Sequence, residues 1–78
     1  MVTKLSLITT GKVGIIKEIT TDHVTKERLE SLGLITGVEI TSIRKLPLGR
    51  IRIYKCLNTL VALRKDIADG ILVEVPNE

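Results

Sequence analysis

The chain has almost no aromatic residues: Tyr54 is the only one among its 78 residues, and tryptophan and phenylalanine are absent. Proteins that bind single-stranded nucleic acids usually stack bases on several aromatic side chains, so this composition disfavours that function. The hydrophobic residues, 44% of the chain, are nearly all Ile, Leu and Val. They suffice for one compact core, and so short a chain predicts a single domain spanning residues 1–78.

Cysteine and histidine occur once each, as Cys56 and His23. A single cysteine cannot form an internal disulfide, and nothing indicates an oxidising compartment. Closed sites for soft metals gather several Cys or His ligands, so Cys56 is interpreted as a packed thiol and Asp22 with His23 as too small a set for an iron site. His23 has no clustered partner that would make it a catalytic base. We therefore expect no catalytic residue, no cofactor and no metal site.

The chain also lacks long hydrophobic runs and a leader pattern. Its apolar runs fall far short of the roughly 20 residues that cross a membrane, and its first residues show no basic region followed by an apolar run and a cleavage site. A cytoplasmic location is therefore expected. Gly11 and Gly14 flank a lysine, but a phosphate-binding loop needs a longer spacing and a Lys-Ser/Thr ending. A bulge or a close backbone approach in a curved barrel explains these glycines better.

Acidic residues are missing from the middle of the chain. No Asp or Glu occurs from Ile40 to Lys65, although the net charge of the whole chain is only +3. The basic residues of this stretch are Arg44, Lys45, Arg50, Arg52, Lys55, Arg64 and Lys65. Such a surface is either an ordinary solvated strand face or a contact surface for an acidic protein or for the anionic inner leaflet of a membrane.

Residues 50–54 show the clearest alternation of polar and apolar side chains. The alternation predicts a strand whose two isoleucines face inward, while Arg50, Arg52 and Tyr54 face outward. Pairing across the preceding turn would then place Arg44 opposite Arg50 or Arg52, at the energetic cost of facing like charges.

The turn before this strand has an apolar tip, Leu46-Pro47-Leu48. Its two leucines either fold back onto the domain or form a small docking patch. Together with the basic side chains around it, the tip defines the residues predicted to bind a partner: Arg44, Leu46, Leu48, Arg50, Arg52 and Tyr54.

Alternating β-branched residues and frequent turn signals predict a mainly β chain. Strands are expected at residues 3–7, 12–19, 38–44, 50–54, 60–63 and 71–75, and helices at residues 24–32 and 64–69. The strand at residues 60–63 is expected to be buried, and the strand at residues 38–44 to contain one slip in its alternation. Five to six short strands with one or two short helices favour a small SH3-like barrel.

The end of the first helix has a clear local pattern. Leu29 and Leu32 share one helix face with Val24, and we expect this narrow apolar stripe to lie against the core. Gly33 suits the residue with positive φ that ends many helices, and Leu34 then falls where a contact back to the last helical turn is common. Asp22 or Thr25 is expected to cap the other end of this helix.

In this order, the elements resemble the FeoA family. The resemblance rests on Leu5-Ser6-Leu7, Gly11-Lys12-Val13-Gly14-Ile15-Ile16, Arg28-Leu29, Leu32-Gly33-Leu34, Gly37-Val38-Glu39-Ile40 and Val61-Ala62-Leu63-Arg64, with Ala68, Ile71 and Val73. Among these residues, Gly11, Gly14, Arg28, Gly33 and Gly37 are interpreted as a structural signature. Thr36 and Asn58 depart from residues common in the family, but both remain compatible with turns.

The resemblance implies a cytosolic SH3-like accessory of ferrous iron uptake that works with FeoB, a membrane permease carrying a GTP-binding domain. The chain would then be a non-enzymatic interaction module, with peripheral contact to the anionic inner membrane face as a further expectation. Two alternatives stay open: a small basic nucleic-acid-binding barrel, disfavoured by the single aromatic residue, and a stand-alone relative of the SH3-like domain of iron-dependent repressors. The sequence leaves the oligomeric state open.

Overall fold

The computed structural model describes residues 1–76 and shows a mainly β chain. Its elements, in order, are β1 (Val2–Lys4), β2 (Val13–Ile19), α1 (His23–Ser31), β3 (Glu39–Lys45), β4 (Ile51–Cys56), β5 (Thr59–Arg64), α2 (Lys65–Asp69) and β6 (Ile71–Glu74). Two short 3-10 turns lie at Leu5–Leu7 and Pro47–Gly49. The predicted content of five to six strands and one or two short helices is confirmed.

All six strands pair antiparallel in one sheet with the order β1-β6-β2-β3-β4-β5. The register shifts in β2 between Ile16 and Glu18, and in β3 between Ser42 and Arg44. Bulges of this kind bend strands and increase their twist, which lets one sheet curve around its own core. The β3 bulge lies where the alternation predicted a slip, but Ile43, expected to face inward with Val38 and Ile40, is 36% exposed, and Ser42 is buried instead.

The core is aliphatic apart from one aromatic ring and one thiol. Its buried hydrophobic residues are Leu5, Ile16, Ile19, Leu29, Leu34, Ile40, Tyr54, Cys56, Val61, Leu63, Ala68, Ile71 and Val73. The strand predicted at residues 3–7 ends earlier, at Lys4, because the chain turns there and buries Leu5. The strand predicted to be buried at residues 60–63 is buried on one face only, since Leu60 and Ala62 point outward.

The helix stop at Gly33 has the geometry that the sequence predicted. Gly33 has φ +99°, its N–H donates to the carbonyl of Glu30 at 3.0 Å, and the N–H of Leu34 donates to the carbonyl of Leu29 at 3.0 Å. These two bonds form the Schellman motif, which satisfies carbonyls that the helix end leaves free. Arg28 lies exposed near this end, where a cation interacts favourably with the helix dipole.

The predicted apolar stripe of α1 is wrong except at Leu29. Leu29 is buried, whereas Val24 and Leu32 are 64% and 47% exposed. Leu34, just past the helix, is fully buried instead. The helix therefore contacts the core through a single turn, and the chain immediately after it supplies the second anchor. At its other end, Asp22 is the cap: its carboxylate accepts the N–H of Thr25 at 3.2 Å.

Gly14 marks the closest approach of two strands in the core. A β-carbon at this position would lie 3.0 Å from both Cβ and Cγ2 of Val73. Gly14 is buried in β2, whose neighbour β6 carries Val73. The close approach expected from the sequence is therefore present, whereas the bulge of β2 lies further along the strand.

Candidate functional site

The turn between β3 and β4 projects an apolar side chain into solvent. Leu48 is 93% exposed, while Leu46 is half-buried. The turn closes on itself: the N–H of Gly49 donates to the carbonyl of Leu46, and the N–H of Leu46 donates to the carbonyl of Ile51, both at 3.0 Å. Of the two leucines at the tip, Leu46 partly folds back onto the domain, whereas Leu48 does not.

Leu48 also has a strained backbone. Its φ of 74° and ψ of −3° lie in the left-handed region, which costs a residue with a β-carbon roughly 1–2 kcal/mol. Pro47, with its fixed φ, opens the turn, and Gly49 follows Leu48 in the left-handed region at φ 69°. A strained residue that is almost fully exposed gains little from contacts within its own chain, so the domain itself does not explain a leucine here.

Two cations beside this tip are free to meet a partner. Arg44 and Arg50 are exposed, and within residues 1–76 neither is in an ion pair. The neighbouring cations behave differently, since Arg64 lies 3.3 Å from Asp66 and Lys65 lies 3.0 Å from Asp69. We use the name loop surface for Arg44, Leu46, Leu48 and Arg50.

Arg52 supports the loop from below and is not a free cation. It is half-buried, and its Nη1 donates to the carbonyl of Gly49 at 2.6 Å. Its partner across the strands is Lys45, whereas Arg44 lies opposite Ile53. The prediction that Arg44 faces Arg50 or Arg52 is therefore wrong. The β3 bulge adds one residue to that strand, and this moves the like-charge pair to Lys45 and Arg52.

Tyr54 faces the core, contrary to the prediction that it faces outward. It is fully buried, and its hydroxyl donates to the carbonyl of Leu5 at 3.4 Å. Ile51 and Ile53, predicted inside, are only half-buried because they lie on the opposite face of β4. The chain has no larger side chain than Tyr54 for the centre of its core, so the ring occupies that position. Because side chains alternate along a strand, the position of Tyr54 determines which face of β4 points inward. Tyr54 is therefore not part of the loop surface.

Burial raises the pKa of Tyr54 from 10.0 to about 12. The folded state thus favours the neutral phenol, and this contribution to stability is complete below pH 10 and is lost as the pH rises towards 12. Because Tyr54 is the only aromatic residue, tyrosinate absorbance reports on it alone. We expect an apparent pKa of about 12 in buffer and about 10 in concentrated urea. A midpoint near 10 under native conditions would contradict the buried position.

The remaining candidates for chemistry have structural roles. Cys56 is buried, its Sγ donates to the carbonyl of Gly33 at 3.4 Å, and burial raises its pKa. It is thus the packed thiol that the sequence suggested. His23 and Glu27 form an exposed pair on α1, with Nε2 and Oε1 2.7 Å apart. In the part of the chain that the structure describes, no group of three or more His, Cys, Asp or Glu side chains could hold a metal ion.

The helices of the described residues are too short and too polar for any of them to cross a membrane.

A shallow groove of about 590 Å³ separates the loop surface from α2 and is lined by Leu48, Arg50, Ile51 and Lys65 among others. Asp66 and Asp69 also line it, so its mainly apolar floor is rimmed by charges of both signs, which suits a side chain presented by another macromolecule. The loop surface and this groove together form the best candidate for a functional site.

Comparison with known proteins identifies relatives of the same fold. The solution structure of the FeoA protein from Chlorobium tepidum superposes with a TM-score of 0.90 at 28% sequence identity, covering 95% of this chain and 70% of that one. Stenotrophomonas maltophilia FeoA, crystallised with zinc and described as a prokaryotic SH3 domain protein, gives 0.78 at 24% identity, covering 95% and 89%. No curated protein matches the chain.

The likeness extends to part of a larger protein. A manganese-dependent transcriptional repressor superposes with a TM-score of 0.86 at 16% identity, covering 96% of this chain and 42% of that one, which shows a shared fold and nothing more. The predicted SH3-like fold is confirmed by these superpositions. The FeoA domain family matches residues 3–75, nearly the whole length of the sequence, and the chain therefore belongs to the FeoA family.

Proposed function

We propose that this protein is a non-enzymatic, cytoplasmic accessory of ferrous iron uptake that docks on a FeoB-type permease with a GTP-binding domain. The observation that carries the proposal is Leu48, an exposed leucine held in a strained conformation beside the free cations Arg44 and Arg50. Exposed apolar side chains rimmed by charge mark contact surfaces. The Stenotrophomonas relative is described as a candidate ferrous iron transport activating factor, which supports the same role.

The geometry favours docking over the two alternatives. A nucleic-acid-binding barrel would need an exposed ring for base stacking, and burial of Tyr54 removes the only aromatic side chain from the surface. The likeness to repressors concerns the fold alone. At the membrane face, Arg44 and Arg50 would also meet anionic lipid headgroups, which attract basic residues by about 1 kcal/mol each.

Two substitutions test the loop surface without touching its support. Leu48→Asn replaces the apolar side chain with one that tolerates the left-handed region, and Arg50→Glu reverses an unpaired charge. We expect each variant to bind the detergent-solubilised permease of the same organism about tenfold more weakly, as measured by biolayer interferometry. Leu48→Asn is also expected to raise the free energy of unfolding by roughly 1 kcal/mol, because it relieves strain.

The chain offers a matched control for each change. Leu57 is also an exposed leucine with positive φ, at 62% exposure and φ 51°, but it lies in the turn between β4 and β5. Leu57→Asn and Lys26→Glu, the latter on exposed α1, should bind like the unmodified protein. If both loop variants bind the permease with unchanged affinity, the loop surface is not its docking site. If the unmodified protein does not bind at all, the proposed function fails.

A further inference from the structure

The strand β5 lies at the end of the sheet and has one free edge. It pairs with β4 from Ile51↔Arg64 to Cys56↔Thr59 and, within residues 1–76, with no other strand. Leu57 and Asn58 join the two strands, with φ values of 51° and 63°. Two residues with positive φ form a type I′ turn, which closes with a pair that exchanges both backbone hydrogen bonds.

This turn determines which backbone groups of β5 point away from the sheet. Bonded pairs alternate along an antiparallel ladder, so the pairs at Thr59, Val61 and Leu63 bond to β4. The N–H and C=O groups of Leu60 and Ala62 then point to the free edge. Among the described residues, no other segment makes a backbone hydrogen bond with them. Four polar groups are thus available in a row to an incoming strand.

The side chains next to this edge form an apolar band on the outer face of the sheet. Leu60 is 64% exposed, Ala62 is exposed, and their neighbours across the pairing, Lys55 and Ile53, lie on the same face. The orientation of β4 matters here, because it places the side chain of Ile53 in this outer band and not in the core. The band is continuous with the edge, so a strand added to β5 would cover it.

Basic residues stand at both ends of the band. Lys55 lies beside Leu60 at one end, and Arg64 follows Ala62 at the other. Lys55 is in no ion pair within residues 1–76, and Glu39 lines the same shallow groove without forming one with it. Arg64 contacts Asp66 through Nε at 3.3 Å, with both side chains mostly exposed, and a guanidinium has further N–H donors that can bind a second carboxylate.

We propose that the β5 edge binds an extended acidic segment of a partner protein, which adds to the sheet as a seventh strand next to β5. The segment would place one apolar side chain over Ala62 and one carboxylate on each side, towards Lys55 and Arg64. Main-chain bonds would supply affinity, and the alternate side chains would supply selectivity. The proposal goes beyond docking on the permease, since it concerns a different surface and requires no particular partner.

The charge pattern decides against a second copy of this chain as the occupant. No acidic residue occurs from Ile40 to Lys65, so the β5 edge of another copy would bring no carboxylate of its own strand to Lys55 or Arg64. Two copies meeting edge to edge would instead bring their basic residues together, which is unfavourable. An acidic segment satisfies the free backbone groups and the cations at once.

The probe for this proposal is the blocked peptide acetyl-Ser-Glu-Thr-Val-Thr-Glu-Ser-amide, whose two glutamates and valine share one face of a strand. We expect titration of the ¹⁵N-labelled protein to shift the amide signals of Leu60 and Ala62 most strongly and to slow their hydrogen exchange. The matched control peptide, with lysine in place of both glutamates, should bind about tenfold more weakly or worse, because it faces Lys55 and Arg64 with like charge.

A proline substitution isolates the backbone contribution. Ala62→Pro removes an N–H that points away from β4, a position at which an edge strand tolerates proline. We expect this variant to stay folded and to bind the acidic peptide at least about tenfold more weakly, while Ala62→Val, which keeps the N–H, binds normally. If Ala62→Pro unfolds, Lys55→Glu serves in its place and should narrow or reverse the preference between the two peptides.

Three results would overturn the proposal. The first is equal affinity for the two peptides. The second is a set of shifts centred on Leu48 and Arg50, which would assign peptide binding to the loop surface. The third is a concentration-dependent change at Leu60 and Ala62 without peptide, which would make a second copy the occupant. None of them bears on permease binding by Leu48 variants, so the two proposals fail separately.

Discussion

Replacing Tyr54 with alanine is expected to remove about 3–5 kcal/mol of stability, the range found when large buried side chains are truncated. A chain of 78 residues has a total free energy of unfolding of roughly 4–12 kcal/mol. Tyr54 is the largest fully buried side chain of the domain, so its loss leaves a cavity at the centre that a small aliphatic core cannot fill. The Tyr54→Ala protein should therefore lose a large part of its stability, and it should be largely unfolded at 25 °C if the total lies near the lower end of this range.

Urea unfolding followed by far-ultraviolet circular dichroism measures this change. Tyr54→Phe separates the contribution of the ring from that of the hydroxyl: it keeps the packing and removes the bond from the hydroxyl to the carbonyl of Leu5 at 3.4 Å, a carbonyl that also accepts the N–H of Ile8 at 3.2 Å. We expect this control to cost about 1 kcal/mol. A Tyr54→Ala variant as stable as Tyr54→Phe would show that the ring is not the centre of the core.

The second large effect is expected at Gly14. Gly14→Val places a branched side chain where a β-carbon alone already lies 3.0 Å from Val73. Overpacking of a well-packed core costs typically 1–3 kcal/mol, and we expect the upper end here because the clash involves a Cβ atom, which cannot move without its backbone. Thermal unfolding should show a midpoint lower by roughly 10 °C or more.

A double-mutant cycle assigns this effect to its contact. Gly14→Ala and Val73→Ala each destabilise the protein when made alone, the first by crowding and the second by loss of packing. Val73→Ala also removes Cγ2, one of the two atoms that lie 3.0 Å from the new β-carbon, so the two changes together should cost less than their sum by about 0.5 kcal/mol or more. Strict additivity would show that Gly14 is required for another reason.

The local backbone features were predictable from the sequence because single residues determine them. Gly33 ends α1 as expected, α2 ends at Asp69 as predicted, and Asn58 has the positive φ that its turn requires. The β-branched content of residues 12–19 predicts β2 almost to the residue. Each of these features depends on the intrinsic conformational preference of a residue or on a short sequence pattern. Both can be read without knowledge of the tertiary structure.

Which face of β4 points to the core could not be predicted from the alternation of its own residues. Ile51, Ile53 and Tyr54 all have high β-propensity, and both faces of the strand carry apolar and polar side chains, so the pattern fits either orientation. The decisive information is non-local: Tyr54 pairs with Ser42 of β3, a small residue that leaves room for the ring. Buried Cys56, two residues further along β4, was the sequence signal that favoured the correct orientation.

The same limitation applied to the candidate site. Four of its six predicted residues, those of the loop surface, are exposed or half-buried around the β3–β4 turn. Arg52 and Tyr54 instead support the loop and the core, because the bulge in β3 and the ring in the core shift the register around them. The outer band at Leu60 and Ala62 is not predictable for the same reason, since the alternation of β4 predicts its neighbour Ile53 to face inward.

The pairing of β1 with β6 determines how this domain can be combined with others. Val2 lies opposite Glu74, so the chain enters and leaves through two adjacent strands. A unit with neighbouring points of entry and exit can be inserted into or appended to a longer polypeptide with little distortion. The repressor that shares the fold matches over only 42% of its length, as such reuse requires. Fusions joined at this pair of strands should therefore leave both proposed contact surfaces accessible.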